Sequence, residues 1–263
     1  MVLLNEYVGH MLIGTPLERP TRVLRGLTGI WQQWLHPELK ELYVESRRME
    51  QVIKRAVKDP MNCVDVGSHL GTMINIIQHS SPNGKHIAVE PVPHKVDWLK
   101  RKYPDVEVLQ IALSDQETEA DFFLQINSSA LSGLRPYGTD EEKSQRIRVK
   151  CMRLDDIVPQ ERPIGFMKVV AEGAELAVMR GGEQLIQRCH PVILFDCIMI
   201  EIERFGLVPK DFYDFLVQKH SYSVFLLKDW LGNQEPLSLE AFEAAMRYPF
   251  QAFRFVATYN GNN

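Results

Sequence analysis

Apolar positions along the chain follow two different periods, and the period changes near residue 60. Before it, Met49, Val52, Ile53, Ala56 and Val57 recur at the i, i+3, i+4, i+7, i+8 spacing of one helix face. Pro60 closes that segment. From Cys63 onward, short apolar runs alternate with helical patterns. Strands are expected over residues 63–67, 86–90, 106–112, 165–171 and 192–197. Helices are expected over 72–79, from Pro93, over 175–188 and over 209–219, each with apolar residues at helical spacing. Residues 122–125 and 147–152 read as a hairpin inserted into this series, and 222–227 and 253–258 as two late strands. Strands separated by helices at this rhythm predict an α/β fold, doubly wound around a mostly parallel sheet, with the two late strands as an antiparallel edge. The organisation that follows is an N-terminal helical extension over 1–59, a candidate lid, and one α/β domain over 60–263.

Composition narrows the chemistry. The chain has 263 residues, 45% hydrophobic and 24% charged, with a formal net charge of −4. A slightly acidic chain with no basic face is not expected to bind nucleic acid. The apolar run 192–195 is too short to span a bilayer. Cys63, Cys151, Cys189 and Cys197 form no C-x-x-C pair, which argues against a zinc site or a disulfide framework and suits a reducing cytoplasm. The segment MVLLNEYVGHMLIG has an acid at Glu6, no basic region before its apolar run and no small-residue cleavage site, so it is not read as a signal peptide.

The most informative stretch is Val64-Asp65-Val66-Gly67-Ser68-His69-Leu70-Gly71-Thr72. A buried strand ends, the chain turns on glycine, and a helix begins. Glycine lets backbone N–H groups approach a ligand, and the helix N-terminus adds donors. The next strand ends in Val89-Glu90-Pro91, where a carboxylate can accept both hydroxyls of a nucleoside ribose. Asp65 stands where a dinucleotide fingerprint would place its first glycine. An acid beside the loop disfavours a pyrophosphate and suits a cationic nucleoside, so the pattern prefers S-adenosylmethionine to NAD.

These blocks resemble the FkbM family of S-adenosylmethionine-dependent methyltransferases. The resemblance covers roughly residues 60–200. It rests on the glycine loop, Ala88-Val89-Glu90-Pro91, Ile111-Ala112-Leu113-Ser114-Asp115, Met152-Arg153-Leu154-Asp155, and residues 167–175 followed by Arg180-Gly181-Gly182. It implies a class I, Rossmann-like, seven-stranded domain that binds S-adenosyl-L-methionine and methylates a small hydroxylated molecule such as a sugar. It also implies that Asp65, Gly67, Ser68 and Gly71 line the methionine end of the cofactor, that Glu90, followed by Pro91, holds the ribose, and that Ala112 and Leu113 flank the adenine. Family members usually read K-I-D-V-E-G where this chain reads Lys168-Val169-Val170-Ala171-Glu172-Gly173, so Val170 replaces an aspartate. Valine cannot ligate a metal, and no metal site is expected.

A sugar hydroxyl is a weak nucleophile, so a general base is expected near the methyl group. His69 in the cofactor loop, Glu172 after the fourth strand and Asp196 at the end of the fifth are the candidates. Glu175 and Lys168 lie close by. Asn127, Ser128 and Ser129 are candidates for an acceptor-side loop. The leading expectation is O-methylation of a small metabolite, a sugar or glycosylated natural product, with a homo-oligomer left open. A non-catalytic cofactor-binding sensor or scaffold is the alternative suggested by Val170. An NAD-dependent oxidoreductase is a third, disfavoured by the absent glycine.

Overall fold

The computed structural model describes residue 11 and residues 40–125, 132–136 and 144–261. Ten strands follow in order: β1 Cys63–Val66, β2 Ile87–Val89, β3 Glu107–Leu109, β4 Ala112–Leu113, β5 Thr118–Gln125, β6 Ser144–Met152, β7 Phe166–Val169, β8 Val192–Asp196, β9 Tyr222–Leu226 and β10 Arg254–Tyr259. Seven form one sheet in the order β3-β2-β1-β7-β8-β10-β9. The first five are parallel. β10 runs antiparallel between β8 and β9, as the two late strands lead one to expect. The strand order reverses at β1 and β7. Loops leaving the carboxyl ends of neighbouring strands diverge there and open a crevice.

Among the described residues the helices used below are α1 Lys40–Ala56, α2 Thr72–Ser80, α3 Pro93–Lys102, α4 Leu154–Ile157, α5 Glu175–Gly181, α6 Glu183–Cys189 and α7 Met199–Ile202. Proline opens α3, where its missing N–H costs nothing and its φ is already helical. The sheet is apolar on both faces. On one face Met49, Val52 and Ile53 of α1 pack with Ile74 and Ile77 of α2 and Val96 and Leu99 of α3 against Phe166, Leu194 and Val256. On the other, α4 to α7 cover Val64, Met167, Ile193 and Phe195. The described part of the N-terminal extension is therefore a core helix.

Two segments depart from their periodic pattern. Residues 106–112 read as one strand but divide. Glu107–Leu109 pairs with β2, whereas Ala112 and Leu113 cross to a second sheet of order β4-β6-β5. Residues 175–188 read as one helix but break at Gly181-Gly182. A Cβ on Gly181 would lie 2.1 Å from the Ser114 carbonyl oxygen, so α5 approaches that loop closer than any side chain allows. The inserted hairpin forms as expected, with Phe122 opposite Ile147 in the β5–β6 register. It shelters a small cluster of Val92, Ala112, Phe122, Val149 and Cys151. All four cysteines are free thiols. Among the described residues no helix is long and apolar enough to cross a membrane.

Candidate functional site

The loop after β1 is built around positive φ angles. Gly67 has φ +71° and Gly71 φ +88°. A Cβ on Gly67 would meet the Val170 carbonyl oxygen at 2.0 Å, so the loop lies against the β7 exit and only glycine fits. The N–H groups of Gly67 and Ser68 both donate to the Val89 carbonyl at 3.0 Å, which ties the loop to β2. Lys168 of β7 sits beneath it. Its Nζ forms an ion pair with Asp65 at 3.1 Å and donates to the carbonyls of Val66 at 3.0 Å and Gly67 at 2.8 Å. Ser68 Oγ donates to the Asp65 carbonyl at 2.7 Å.

Glu90 closes one side. Its Oε2 accepts from the His69 N–H at 2.9 Å and its Oε1 from the Val92 N–H at 3.1 Å. Burial raises its carboxyl pKa, while the Lys95 ammonium and these two donors oppose the rise. The carboxylate is thus fixed in place with lone pairs to spare.

These elements frame a cleft of about 380 Å³ at the reversal of strand order. That lies within the usual range of small-molecule sites, roughly 300–1,000 Å³. Gly67, His69, Glu90, Pro91, Ala112, Leu113, Glu172 and Asp196 all line it. Asp65, Ser68 and Gly71 are not among its lining residues. They form the underlying layer that shapes the loop, with Asp65 fully buried against Lys168. Lys168 therefore pairs with a carboxylate beneath the loop. Phe122 of the inserted hairpin and Leu134 add an apolar wall beside Leu113. Asn127, Ser128 and Ser129 lie outside the described residues.

The other end of the cleft is acidic. Glu172 has φ +51°, a conformation side chains seldom adopt, and its carboxyl group faces that of Glu201 on α7 at hydrogen-bonding range. Burial first, and the like charges of Glu201, Glu175 and Asp196 next, hold the Glu172 pKa far above the usual carboxylate range. Glu175 accepts from the N–H groups of Ala171 at 2.7 Å and Gly173 at 3.2 Å, and burial pushes its pKa up to about 8. Arg254 Nε forms an ion pair with Asp196 Oδ1 at 3.2 Å. Burial raises its pKa, and the Arg254 and Lys168 charges counter that. Of Glu172 and Asp196, the two acids of that end that line the cleft, Asp196 is the one with an arginine paired to it among the described residues. Val170 also lines the cleft, and among the described residues no group of three or more His, Cys, Asp or Glu is arranged to hold a metal ion.

Arg254, Glu201 and Lys95, with Ser46 and Met49 of α1, were not apparent as site residues in the sequence. Each belongs to a pattern that reads locally as ordinary helix or strand. Only the tertiary fold brings Arg254, Lys95, Ser46 and Met49 to the cleft wall and sets Glu201 beside Glu172.

The raised carboxyls give a signed pH dependence. Folded Glu45, with a pKa near 7, and Glu175, near 8, keep protons that the unfolded chain releases near 4.5. Their contribution to stability is complete below that value and is lost as pH rises through the folded values. Burial depresses His86 and His220 below 6.5, which acts in the opposite direction at lower pH. The clean window is therefore above 6.5. The thermal midpoint, followed by circular dichroism, is expected to fall steadily from pH 6.5 to pH 9. A rising midpoint there would contradict the assignment.

Residues 65–224 match the sequence model of the methyltransferase FkbM domain. No curated protein matches the chain. Among solved structures, methyltransferase FkbM from Methylobacillus flagellatus KT shares 13% identity at a TM-score of 0.47. The match covers 76% of this chain and 44% of that one, so this chain spans less than half of that protein's length. The plantazolicin methyltransferase BpumL, in complex with a pentazolic desmethylPZN analog and SAH, is similar at 11% identity and a TM-score of 0.46, covering 87% and 93% of the two chains. A putative methyltransferase from Streptococcus mutans in complex with SAH shows 10% identity and a TM-score of 0.44, covering 79% and 93%.

Proposed function

Because the chain belongs to the FkbM family of S-adenosylmethionine-dependent methyltransferases, we propose that it methylates a hydroxyl group of a small metabolite, a sugar or a glycosylated natural product. The observation that supports this most is Glu90. It is a buried carboxylate clamped by two backbone N–H groups, at the mouth of a glycine turn that tolerates no side chain.

The residues fit the cofactor. Glu90 would accept the ribose hydroxyls, with Pro91 behind it. Ala112 and Leu113 offer apolar contact to an adenine ring. Gly67 and His69 line the methionine end, supported from below by Asp65, Ser68 and Gly71. The bound cofactor supplies an activated sulfonium methyl group, so the protein has only to align the acceptor and remove a proton. Asp196, with the Arg254 guanidinium against it, accepts the hydroxyl proton. Glu172, held protonated against Glu201, lines the acceptor side of the cleft without adding a charge there. His69 lies by the cofactor loop, on the Glu90 side.

Calorimetry with S-adenosylmethionine, followed by an S-adenosylhomocysteine-release assay against a panel of sugars and glycosides, tests the reading. Binding with turnover on a hydroxylated acceptor is expected. The presence of Val170 in the cleft favours one other reading, a cofactor-binding scaffold without catalysis. Tight binding with no turnover on any acceptor would select it, and binding of a nicotinamide dinucleotide instead would remove both. Glu90→Ala is expected to weaken cofactor binding by about 1–3 kcal/mol through loss of charge-assisted hydrogen bonds. An unchanged Kd would exclude Glu90 from the ribose site.

A further inference from the structure

The residues on either side of the matched span 65–224 meet at the acidic end of the cleft. Glu45 lies on α1 and is only 2% exposed. Its Oε1 accepts from the N–H groups of Phe253 at 3.1 Å and Arg254 at 3.4 Å, and its Oε2 faces Arg254 Nη1 at 3.3 Å. Arg254 turns its Nε the other way, onto Asp196 Oδ1 at 3.2 Å. Arg254 and Asp196 are register partners in the β10–β8 ladder, so backbone pairing already sets their separation. The next turn of α1 brings Met49 to the cleft wall beside them, and Ser46 lines it as well.

A guanidinium has five donors in a rigid fork, and one anchored edge dictates where the other points. Glu45 anchors the Nη1 edge and leaves Nε for Asp196. Other groups compete for that cation or act on Asp196. Glu172 after β7, Glu175 on α5 and Glu201 on α7 are acids, and Lys168 on β7 is a second cation. Without the anchor, Arg254 is free to swing toward Glu172 or Glu201.

We infer that Glu45 and Arg254 are positioning residues, and that helix α1 completes the active site by holding Arg254 against Asp196. Arg254 thereby sets a positive charge beside Asp196 Oδ1, and Asp196 is left to take the acceptor proton. This inference rests on the reading of Asp196 as the proton acceptor.

The test is a direct titration of the Asp196 carboxyl by ¹³C NMR in the full chain, assigned with D196N, which needs no acceptor. Removing the adjacent cation in R254M is expected to raise the Asp196 pKa by about 1–3 units. E45A is expected to move it upward too, because the released arginine leaves. E45Q keeps one acceptor oxygen for the two N–H groups but turns an NH₂ donor toward Nη1, so it loses the anchor and carries the same upward expectation. The sign is decisive. If Glu45 acts only as a nearby negative charge, its removal lowers the Asp196 pKa, and a downward shift in E45A overturns the inference. An unmoved pKa in R254M does so as well. Should E45A fail to fold, E45D retracts the carboxylate by one methylene and carries the same upward expectation. In the release assay, the acid limb of kcat/KM should move with the measured pKa. Full turnover by D196N would sink the proton-acceptor reading by itself. Loss of turnover in D196N with an unmoved pKa in R254M would sink only the positioning role.

Discussion

Gly67→Ala is expected to destabilise the protein by about 3 kcal/mol or more, among the larger effects a single substitution produces. The added methyl group would sit 2.0 Å from the Val170 carbonyl oxygen, far inside van der Waals contact. That oxygen belongs to backbone leaving a central strand, and the Val170 N–H is itself bonded to the Val66 carbonyl at 3.3 Å, so it has little freedom to retreat. Alanine at φ +71° adds strain of its own, roughly 1 kcal/mol. Relief requires the loop to lift off β7, which loosens the Gly67 and Ser68 bonds to Val89 and the Lys168 contact, and with them the approach to the cofactor. Gly206 supplies the control. It has φ +70°, but nothing lies within 4 Å of its would-be Cβ, so Gly206→Ala carries the backbone strain alone. At roughly 2–4 °C per kcal/mol for a chain of this size, the thermal midpoint of G67A should fall well below that of G206A. Equal midpoints would show that the close approach to Val170 does not hold the loop. Cofactor affinity should follow the same order.

Asp196→Asn is expected to lower kcat by about 10²–10⁴-fold, the usual worth of a general base. Asparagine keeps the shape and can still accept from Arg254 through its carbonyl oxygen, but it cannot take a proton at neutral pH. The Kd for S-adenosylmethionine is expected to change little, because the proposed cofactor contacts, Glu90 and the glycine loop, lie on the other side of the cleft. Arg254 loses one counter-charge but retains Glu45, so the fold should tolerate the change. Single-turnover measurements of methyl transfer, beside calorimetric cofactor binding, separate the two effects. A loss confined to binding would move Asp196 out of the base role. As pH falls, the parental enzyme should lose activity as Asp196 takes up a proton. Burial brings that loss to a higher pH than an exposed aspartate would show, and Arg254 limits the rise.

Much of the framework follows from local patterns. The alternation of apolar runs with helical spacing located nearly every central strand to within a residue or two, because a strand buried on both faces must be apolar throughout and its crossover helix must be amphipathic. The hairpin of Phe122 with Ile147 was legible for the same reason. Pro93 opens its helix through its ring alone, without help from distant residues. Glu90 could be found because the turn and the carboxylate lie on consecutive strands, and consecutive parallel strands are usually neighbours.

The breaks in that pattern have tertiary causes. The helix expected over 175–188 divides where Gly181 passes the Ser114 carbonyl, a contact across 67 positions of chain that no local period encodes. Residues 106–112 divide because Ala112 finds a partner in Cys151 and leaves the main sheet. Asp65 illustrates the distinction at the site. Its place beside the glycine loop is visible in the sequence, but its charge is spent on Lys168, its register partner in β7.

The order of residues settles which faces are apolar, where turns occur and which acid follows the nucleotide-type loop, since each depends on neighbours a few positions apart. Whether a given acid stays charged, and what it faces, depends on burial and on partners delivered by strand order. Glu45 and Arg254 are 209 positions apart, and β10 places Arg254 beside Asp196 only by inserting antiparallel between β8 and β9. Electrostatic energy in a buried site is set by distances of a few ångströms in space, and sequence separation carries no information about them.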